Sequence, residues 1–126
     1  MAKMILVVDD EPMIVQLIKA GLSKHGFEVE TAFDGLQALA KVQQRMPDLI
    51  ILDIMMPNMD GTEVAGRLKE DPVTRHIPII FLSALWQEDS NETEEKKPQK
   101  NIGFSKPFQL AEVLAKIQAL IGPAKG

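Results

Sequence analysis

The sequence contains no cysteine, so disulfide bonds, thiol catalysis and thiolate metal sites are excluded. It also has no basic excess: 14 Lys and Arg against 18 Asp and Glu give a formal net charge of −4, which argues against a nucleic-acid-binding surface. No apolar run resembles a secretory leader or approaches the length of a membrane span. We therefore expect one soluble cytoplasmic domain over residues 1–126, with a core at 4–121, a short trailing tail at 122–126 and no membrane insertion.

Short apolar segments alternate with amphipathic ones along the chain. The apolar runs predict strands at residues 4–8, 27–31, 49–52, 77–82 and 102–105. Helical spacing predicts helices that begin near Pro12, after Asp34 as an N-cap, around Val64 and near Leu110. Strands that alternate with helices in this way predict an α/β fold with a parallel sheet. Residues 87–101 break the pattern because they include Pro98 and no large apolar residue, so a fourth helix at about 87–100 should be short or disordered.

Polar side chains follow the predicted strands at the points where these strands end. They are Asp9, Asp10, Asp53, Ser83 and Lys106. The carboxyl ends of parallel strands meet at one edge of a sheet, where ligands of such folds bind. Crowded carboxylates repel unless a cation lies between them, and Mg²⁺ is the most plausible hard cation for oxygen ligands.

This set of side chains suits phosphoryl chemistry. Asp53 stands alone after a central strand, which makes it the best candidate for a carboxylate that attacks a phosphoryl group. Lys106 offers a positive charge and Ser83 a hydroxyl for the phosphoryl oxygens. The alternative reading is that the acids only cap helices and solvate turns. It would require their placement at strand ends, together with that of Lys106, to be accidental.

At these residues the chain resembles the receiver domain of two-component response regulators. The matching segments are LVVDDEP at residues 6–12, DIMMPNMDG at 53–61, SA at 83–84 and KPF at 106–108. Their order and spacing agree from residue 4 to about residue 121. The resemblance implies a flavodoxin-like five-stranded sheet of order 2-1-3-4-5, with helices on both faces. It also implies that a histidine kinase or a histidine phosphotransfer protein gives a phosphoryl group to Asp53, which alters a surface that contacts a downstream protein.

The family's functional residues can be assigned to positions of this sequence. Asp10 and Asp53 would ligate Mg²⁺ directly, Asp9 through water, and Met55 through its main-chain carbonyl. Ser83 would be the switch hydroxyl, and Lys106, before a cis proline at position 107, would contact the phosphoryl group. The only catalysis implied is self-phosphorylation from a phosphodonor and slow autodephosphorylation, without enzymatic turnover.

The sequence departs from the family pattern in two places. Gly103 occupies the position of the usual aromatic switch residue, and the polar segment 87–101 replaces a helix of the family's output face. The chemistry of phosphorylation is therefore better supported than the usual route by which the signal leaves the domain.

Three other functions compete with the phosphoacceptor switch. The first is a degenerate receiver that acts as a phosphorylation-independent docking module. The second is a haloacid-dehalogenase-type phosphatase, which is disfavoured because its general acid would fall at Met55. The third is a flavodoxin-like cofactor binder, which is disfavoured because acids, and no phosphate-binding loop, follow Val8.

Overall fold

A computed structural model describes residues 2–84 and 102–125 of the chain. Its five strands are β1 (Met4–Val8), β2 (Glu28–Ala32), β3 (Leu49–Asp53), β4 (Ile79–Ser83) and β5 (Ile102–Ser105). The helices of these two ranges are α1 (Pro12–Lys24), α2 (Gly35–Gln44), α3 (Gly61–Glu70) and α4 (Leu110–Ile121). The segment at 87–100, for which we predicted a short or disordered helix, lies outside the described residues.

The five strands form one parallel sheet of order β2-β1-β3-β4-β5. This order confirms the predicted flavodoxin-like topology. In the register of the sheet, Val8 at the end of β1 lies between Ala32 of β2 and Leu52 of β3. Ser83 at the end of β4 pairs with Ser105 at the end of β5. The carboxyl ends of all five strands therefore form a single edge.

Both faces of the sheet are covered, which explains why the central strands are continuously apolar. Alternate residues of β1, Leu6 and Val8, point into a core shared with α2 and α3. The intervening residues, Ile5 and Val7, point into a second core shared with α1 and α4. The residues of β1, β3 and β4 are all buried. Among the described residues, no helix is long and apolar enough to cross a membrane.

Two strands begin later than their sequence patterns predicted. β2 starts at Glu28 rather than residue 27, and β4 starts at Ile79 rather than residue 77. Pro78 has no N–H to donate to the sheet, although its carbonyl accepts the N–H of Ile50 at 3.0 Å. The apolar residues Phe27 and Ile77 are buried, but they belong to the connections that lead into these strands.

We predicted that the tail after α4 would trail from this helix. In the structure it packs against the start of the chain. Ala124 is buried, and its carbonyl accepts the N–H of Lys3 at 2.9 Å. The Lys3 ammonium also donates to the carbonyl of Ile121. These contacts join the end of α4 and the residues after it to the residue before β1. They therefore lie at the end of the sheet opposite the strand-end acids.

Candidate functional site

The sheet brings the predicted acids together at its carboxyl edge. Asp9 and Asp10 follow β1, and Asp53 is the last residue of the adjacent strand β3. Each of the three offers a carboxylate oxygen that lies within 4.8 Å of those of the other two. Asp9 and Asp53 are buried, whereas Asp10 is exposed. The site is therefore walled by protein on one side and open to solvent on the other.

The donor set of this acidic cluster fits a hard divalent cation. It supplies three carboxylates and no nitrogen or sulfur ligand, which is the chemistry that Mg²⁺ and Ca²⁺ prefer. Two of these anions are removed from water, so their mutual repulsion is weakly screened. A bound cation would relieve that repulsion, and the residues present are therefore suited to hold one.

Lys106 enters the acidic cluster from the end of β5. Its ammonium donates to Oδ2 of Asp9 and to Oε1 of Glu11, each at 2.8 Å. Oδ2 of Asp53 lies 3.6 Å away, which is within ion-pair range and beyond a good hydrogen bond. Burial opposes the charge of the ammonium, but the hydrogen bonds to Asp9 and Glu11 outweigh it and raise the pKa of Lys106. The lysine therefore stays charged beside the acids.

The pKa of the Asp53 carboxyl group is strongly raised. Burial, followed by the negative charge of Asp9, raises the pKa of Asp53 from 3.8 to about 6, and the nearby Lys106 charge offsets only part of this effect. Burial likewise raises the pKa of Asp9, although the hydrogen bond from Lys106 opposes the change. In the absence of a cation, the ionised cluster is thus an unfavourable arrangement that the fold imposes.

The loop after β3 holds Asp53 in place. The Met55 main chain acts to lower the pKa of Asp53, against the larger effect of burial, and the Gly61 N–H donates to the Ile54 carbonyl at 2.8 Å. A Cβ atom at Gly61 would lie only 2.1 Å from the main-chain oxygen of Asp53, so only glycine permits this approach. Asp60 caps α3 by accepting the Glu63 N–H at 2.9 Å. The role of the Met55 carbonyl as a metal ligand stays a prediction.

The other predicted site residues lie at the same edge. Ser83 is the buried last residue of β4, the strand next to β3, and the peptide bond between Lys106 and Pro107 is cis as expected. Gly103 pairs with Phe81 in the sheet, while the following Phe104 packs against the core shared by α1 and α4. The usual aromatic switch position therefore carries no side chain.

Glu11 is a residue of the site that was not among the predicted site residues. An acid just before a helix is favoured by the helix dipole alone, so its position in the sequence signals no further role. In the structure it is an acceptor for Lys106, from which it is separated by 95 positions in the chain. No local pattern marks such a contact, because it exists only once β1 and β5 share a sheet.

A doubly wound sheet of order 2-1-3-4-5, with an acidic cluster and a lysine at its carboxyl edge, defines the receiver class of signalling domains. Residues 5–118 match the family model of the response regulator receiver domain. The chain belongs to this family, whose members are parts of two-component response regulators. This finding confirms the resemblance drawn from the four motifs.

Individual relatives agree with this assignment. The chain is 51% identical over 85 residues to the response regulator PleD of Caulobacter vibrioides, a match that covers 68% of this chain and 19% of PleD. It is 38% identical over 121 residues to the DNA-binding dual master transcriptional regulator RpaA of Synechocystis sp., covering 93% of this chain and 48% of RpaA. The chain therefore spans about half or less of the length of these relatives.

A solved structure of a related protein shares the fold of this chain. The response regulator protein TrrA from Thermotoga maritima, in complex with Mg²⁺ and BeF, superposes with a TM-score of 0.78 at 37% identity. The match covers 94% of this chain and 98% of that one. The magnesium in that structure is bound by TrrA.

Proposed function

We propose that this chain is a phosphoacceptor switch in which Asp53 receives a phosphoryl group from the phosphohistidine of a histidine kinase or a histidine phosphotransfer protein. The observation that carries the proposal is the environment of Asp53. Its carboxylate is buried at a strand end among two other carboxylates, with the Lys106 ammonium 3.6 Å away. Such a carboxylate is costly to maintain for stability alone, and the arrangement suits transfer of a negatively charged group.

The reaction is a displacement at phosphorus. An oxygen of Asp53 forms a bond to phosphorus while the bond between phosphorus and the donor imidazole nitrogen breaks, and the imidazole keeps the electron pair. Lys106 donates a hydrogen bond to one phosphoryl oxygen, and the Ser83 hydroxyl donates to another. Hydrolysis of the resulting acyl phosphate is slow, so the domain acts as a switch and not as a turnover enzyme.

Magnesium fits this site on its donor chemistry. Asp9, Asp10 and Asp53 would hold it, together with the main-chain carbonyl of Met55. When bound, it supplies neutralisation of the charge that gathers on the phosphoryl oxygens. The residues of the chain then have the tasks of holding the acceptor oxygen in place and of presenting one ammonium and one hydroxyl to the transferred group.

The partners follow from this chemistry. The phosphodonor is a protein with a phosphorylated histidine, and the phosphorylated domain presents an altered surface to a downstream protein. The acidic balance of this chain does not suit direct binding to nucleic acid, so the DNA binding in the printed name of RpaA is not transferred to it. We place the reaction in the cytoplasm, as expected from the sequence.

Incubation with Mg²⁺ and acetyl phosphate tests the proposal. We expect a stable, hydroxylamine-labile mass gain of one phosphoryl group that is absent in Asp53→Asn and retained in Asp60→Asn, a matched change at an exposed capping residue. Rapid release of phosphate without accumulation would indicate a phosphatase. An absence of any reaction would favour the degenerate receiver that only docks to partners.

A further inference from the structure

Glu11 occupies the N-cap position of α1, but its side chain does not cap the helix. The next residue is Pro12, which has no N–H to satisfy, and the Glu11 N–H itself donates to Oδ1 of Asp9 at 2.9 Å. The Glu11 carboxylate instead reaches Lys106 at 2.8 Å, although 59% of the side chain stays exposed. The Glu11 side chain therefore lies at the start of a helix but contacts Lys106 and makes no capping hydrogen bond.

Among the described residues, Lys106 has three acidic neighbours, and Glu11 differs from the other two in one respect. Asp9 and Asp53 both belong to the acidic cluster that can hold a cation, and the third member of that cluster within residues 2–84 and 102–125 is Asp10. Glu11 is therefore the acidic partner of Lys106 that keeps its carboxylate free of the cation. The Lys106 ammonium has three N–H donors, of which Asp9 and Glu11 each engage one.

We propose that Glu11 is a positioning residue that holds the Lys106 ammonium at the site while Asp9 and Asp53 are engaged by a divalent cation. The role in phosphoryl transfer rests on the proposed function, whereas the role in cation binding does not. A cation bound by the cluster repels the ammonium and competes with it for the oxygens of Asp9 and Asp53. Glu11 provides an alternative acceptor, so Lys106 can yield those oxygens and remain beside the acceptor carboxylate.

The proposal predicts a coupling between Glu11 and Lys106 in cation affinity. In Glu11→Gln, Asp9 and Asp53 are the acidic partners that remain to the ammonium within the described part of the chain, so the cation must displace it at greater cost. We expect the dissociation constant for Mg²⁺, measured by isothermal titration calorimetry, to rise roughly two- to fivefold, in keeping with the strength of exposed ion pairs. In a Lys106→Met background there is no ammonium to displace, and Glu11→Gln should then change Mg²⁺ affinity by less than roughly 1.5-fold.

Glu63→Gln is the matched control. Glu63 is also an exposed glutamate in an ion pair, with Arg67 at 3.0 Å, but it belongs neither to the acidic cluster nor to the ion pairs of Lys106. Its substitution removes the same charge from the chain and should leave Mg²⁺ affinity unchanged. Lys106→Gln serves as a second background, and circular dichroism verifies that each variant is folded.

Three outcomes would overturn the proposal. They are an unchanged Mg²⁺ affinity in Glu11→Gln, an equal loss in Glu63→Gln, or a loss that is as large without Lys106 as with it. The last outcome would mean that the Glu11 charge attracts the cation directly. The calorimetry does not depend on phosphorylation, so failure of the wild-type protein to accept phosphoryl from acetyl phosphate would refute the proposed function while leaving this result intact.

If the proposed function holds, positioning of Lys106 by Glu11 should also affect the rate of phosphoryl transfer. At saturating Mg²⁺ we expect Glu11→Gln to slow phosphorylation of Asp53 by acetyl phosphate by roughly two- to fivefold, because Lys106 is less often in place to contact the phosphoryl oxygen. Glu63→Gln should phosphorylate at the wild-type rate. Equal rates in the wild-type protein and Glu11→Gln at saturating Mg²⁺ would show that Glu11 does not position Lys106 for phosphoryl transfer.

Discussion

The Asp53 carboxylate should destabilise the metal-free protein at neutral pH, so Asp53→Asn should stabilise it. Asparagine has nearly the same shape as aspartate and cannot ionise. The side chain of Asp53 is 5% exposed, so solvent screens its charge poorly. The substitution therefore removes a buried negative charge that sits among Asp9, Asp10 and the partly compensating Lys106.

The magnitude follows from the raised pKa. Because the pKa of Asp53 is about 6 in the folded protein and 3.8 ordinarily, the folded state binds this proton more tightly than the unfolded state. The stabilisation by the protonated carboxyl group is complete below about pH 4 and is lost as the pH rises through 6. At about 1.4 kcal/mol for each tenfold change in proton affinity, the loss approaches roughly 3 kcal/mol by pH 8.

Urea unfolding in the presence of EDTA measures this difference. Relative to the wild-type protein, we expect Asp53→Asn to gain about 3 kcal/mol in unfolding free energy at pH 8 and only about 1 kcal/mol at pH 4.5. The gain at pH 8 corresponds to a rise in Tm of roughly 10 °C for a domain of this size. A gain that is absent at pH 8, or equal at the two pH values, would refute the reasoning.

Asp60→Asn is the appropriate control for the loss of a carboxylate. The Thr62 hydroxyl and the Glu63 N–H donate to Asp60 and lower its pKa, so the ionised form is favourable there. Its contribution is present at neutral pH and is lost only as the pH falls through that lowered pKa. Asparagine also accepts a capping hydrogen bond. We therefore expect no gain in stability from Asp60→Asn at pH 8.

Two further substitutions probe how the fold supports the site. Gly61→Ala would place a methyl group against the main-chain oxygen of Asp53, so we expect the Tm to fall by at least roughly 5 °C and Mg²⁺ to bind more weakly. Gly66→Ala, in the same helix, is the control because its methyl group would meet no atom within 4 Å. We expect it to raise the free energy of unfolding by up to about 1 kcal/mol. Equal behaviour of the two alanine variants would contradict this steric account. Asp34→Ala removes the 2.8 Å cap on the Gln37 N–H and should cost about 1 kcal/mol in urea unfolding, and a comparable loss in Asp34→Asn would argue against capping as the cause.

Features of this protein that depend on a few neighbouring residues could be predicted from the sequence. The Asp34 cap is such a feature, since a single side chain followed by a helical pattern specifies it. The convergence of Asp9, Asp53 and Lys106 was also accessible, because each follows an apolar run and parallel strands end at one edge. The rule that parallel strands end at the same edge of a sheet was enough to predict that these side chains lie close together.

Other features depend on contacts that no local pattern specifies. The partnership of Glu11 with Lys106 requires the two strands to be placed in the sheet, and a glutamate before Pro12 carries no sign of it. The burial of Ala124 against the start of the chain could not be predicted either, because a small residue after a helix-ending glycine carries no sign of a packing partner. Both contacts join the beginning of the chain to its last fifth.

The acidic cluster links the stability of the metal-free fold to its affinity for a cation. Repulsion among Asp9, Asp10 and Asp53 is present only in the folded state, since unfolding separates the carboxylates and returns them to water. A cation that binds the folded state alone removes this repulsion, so the free energy that lowers metal-free stability reappears as binding free energy. A substitution that stabilises the metal-free protein by discharging the cluster must therefore weaken cation binding. For this reason the acids cannot be understood as stabilising elements of the fold.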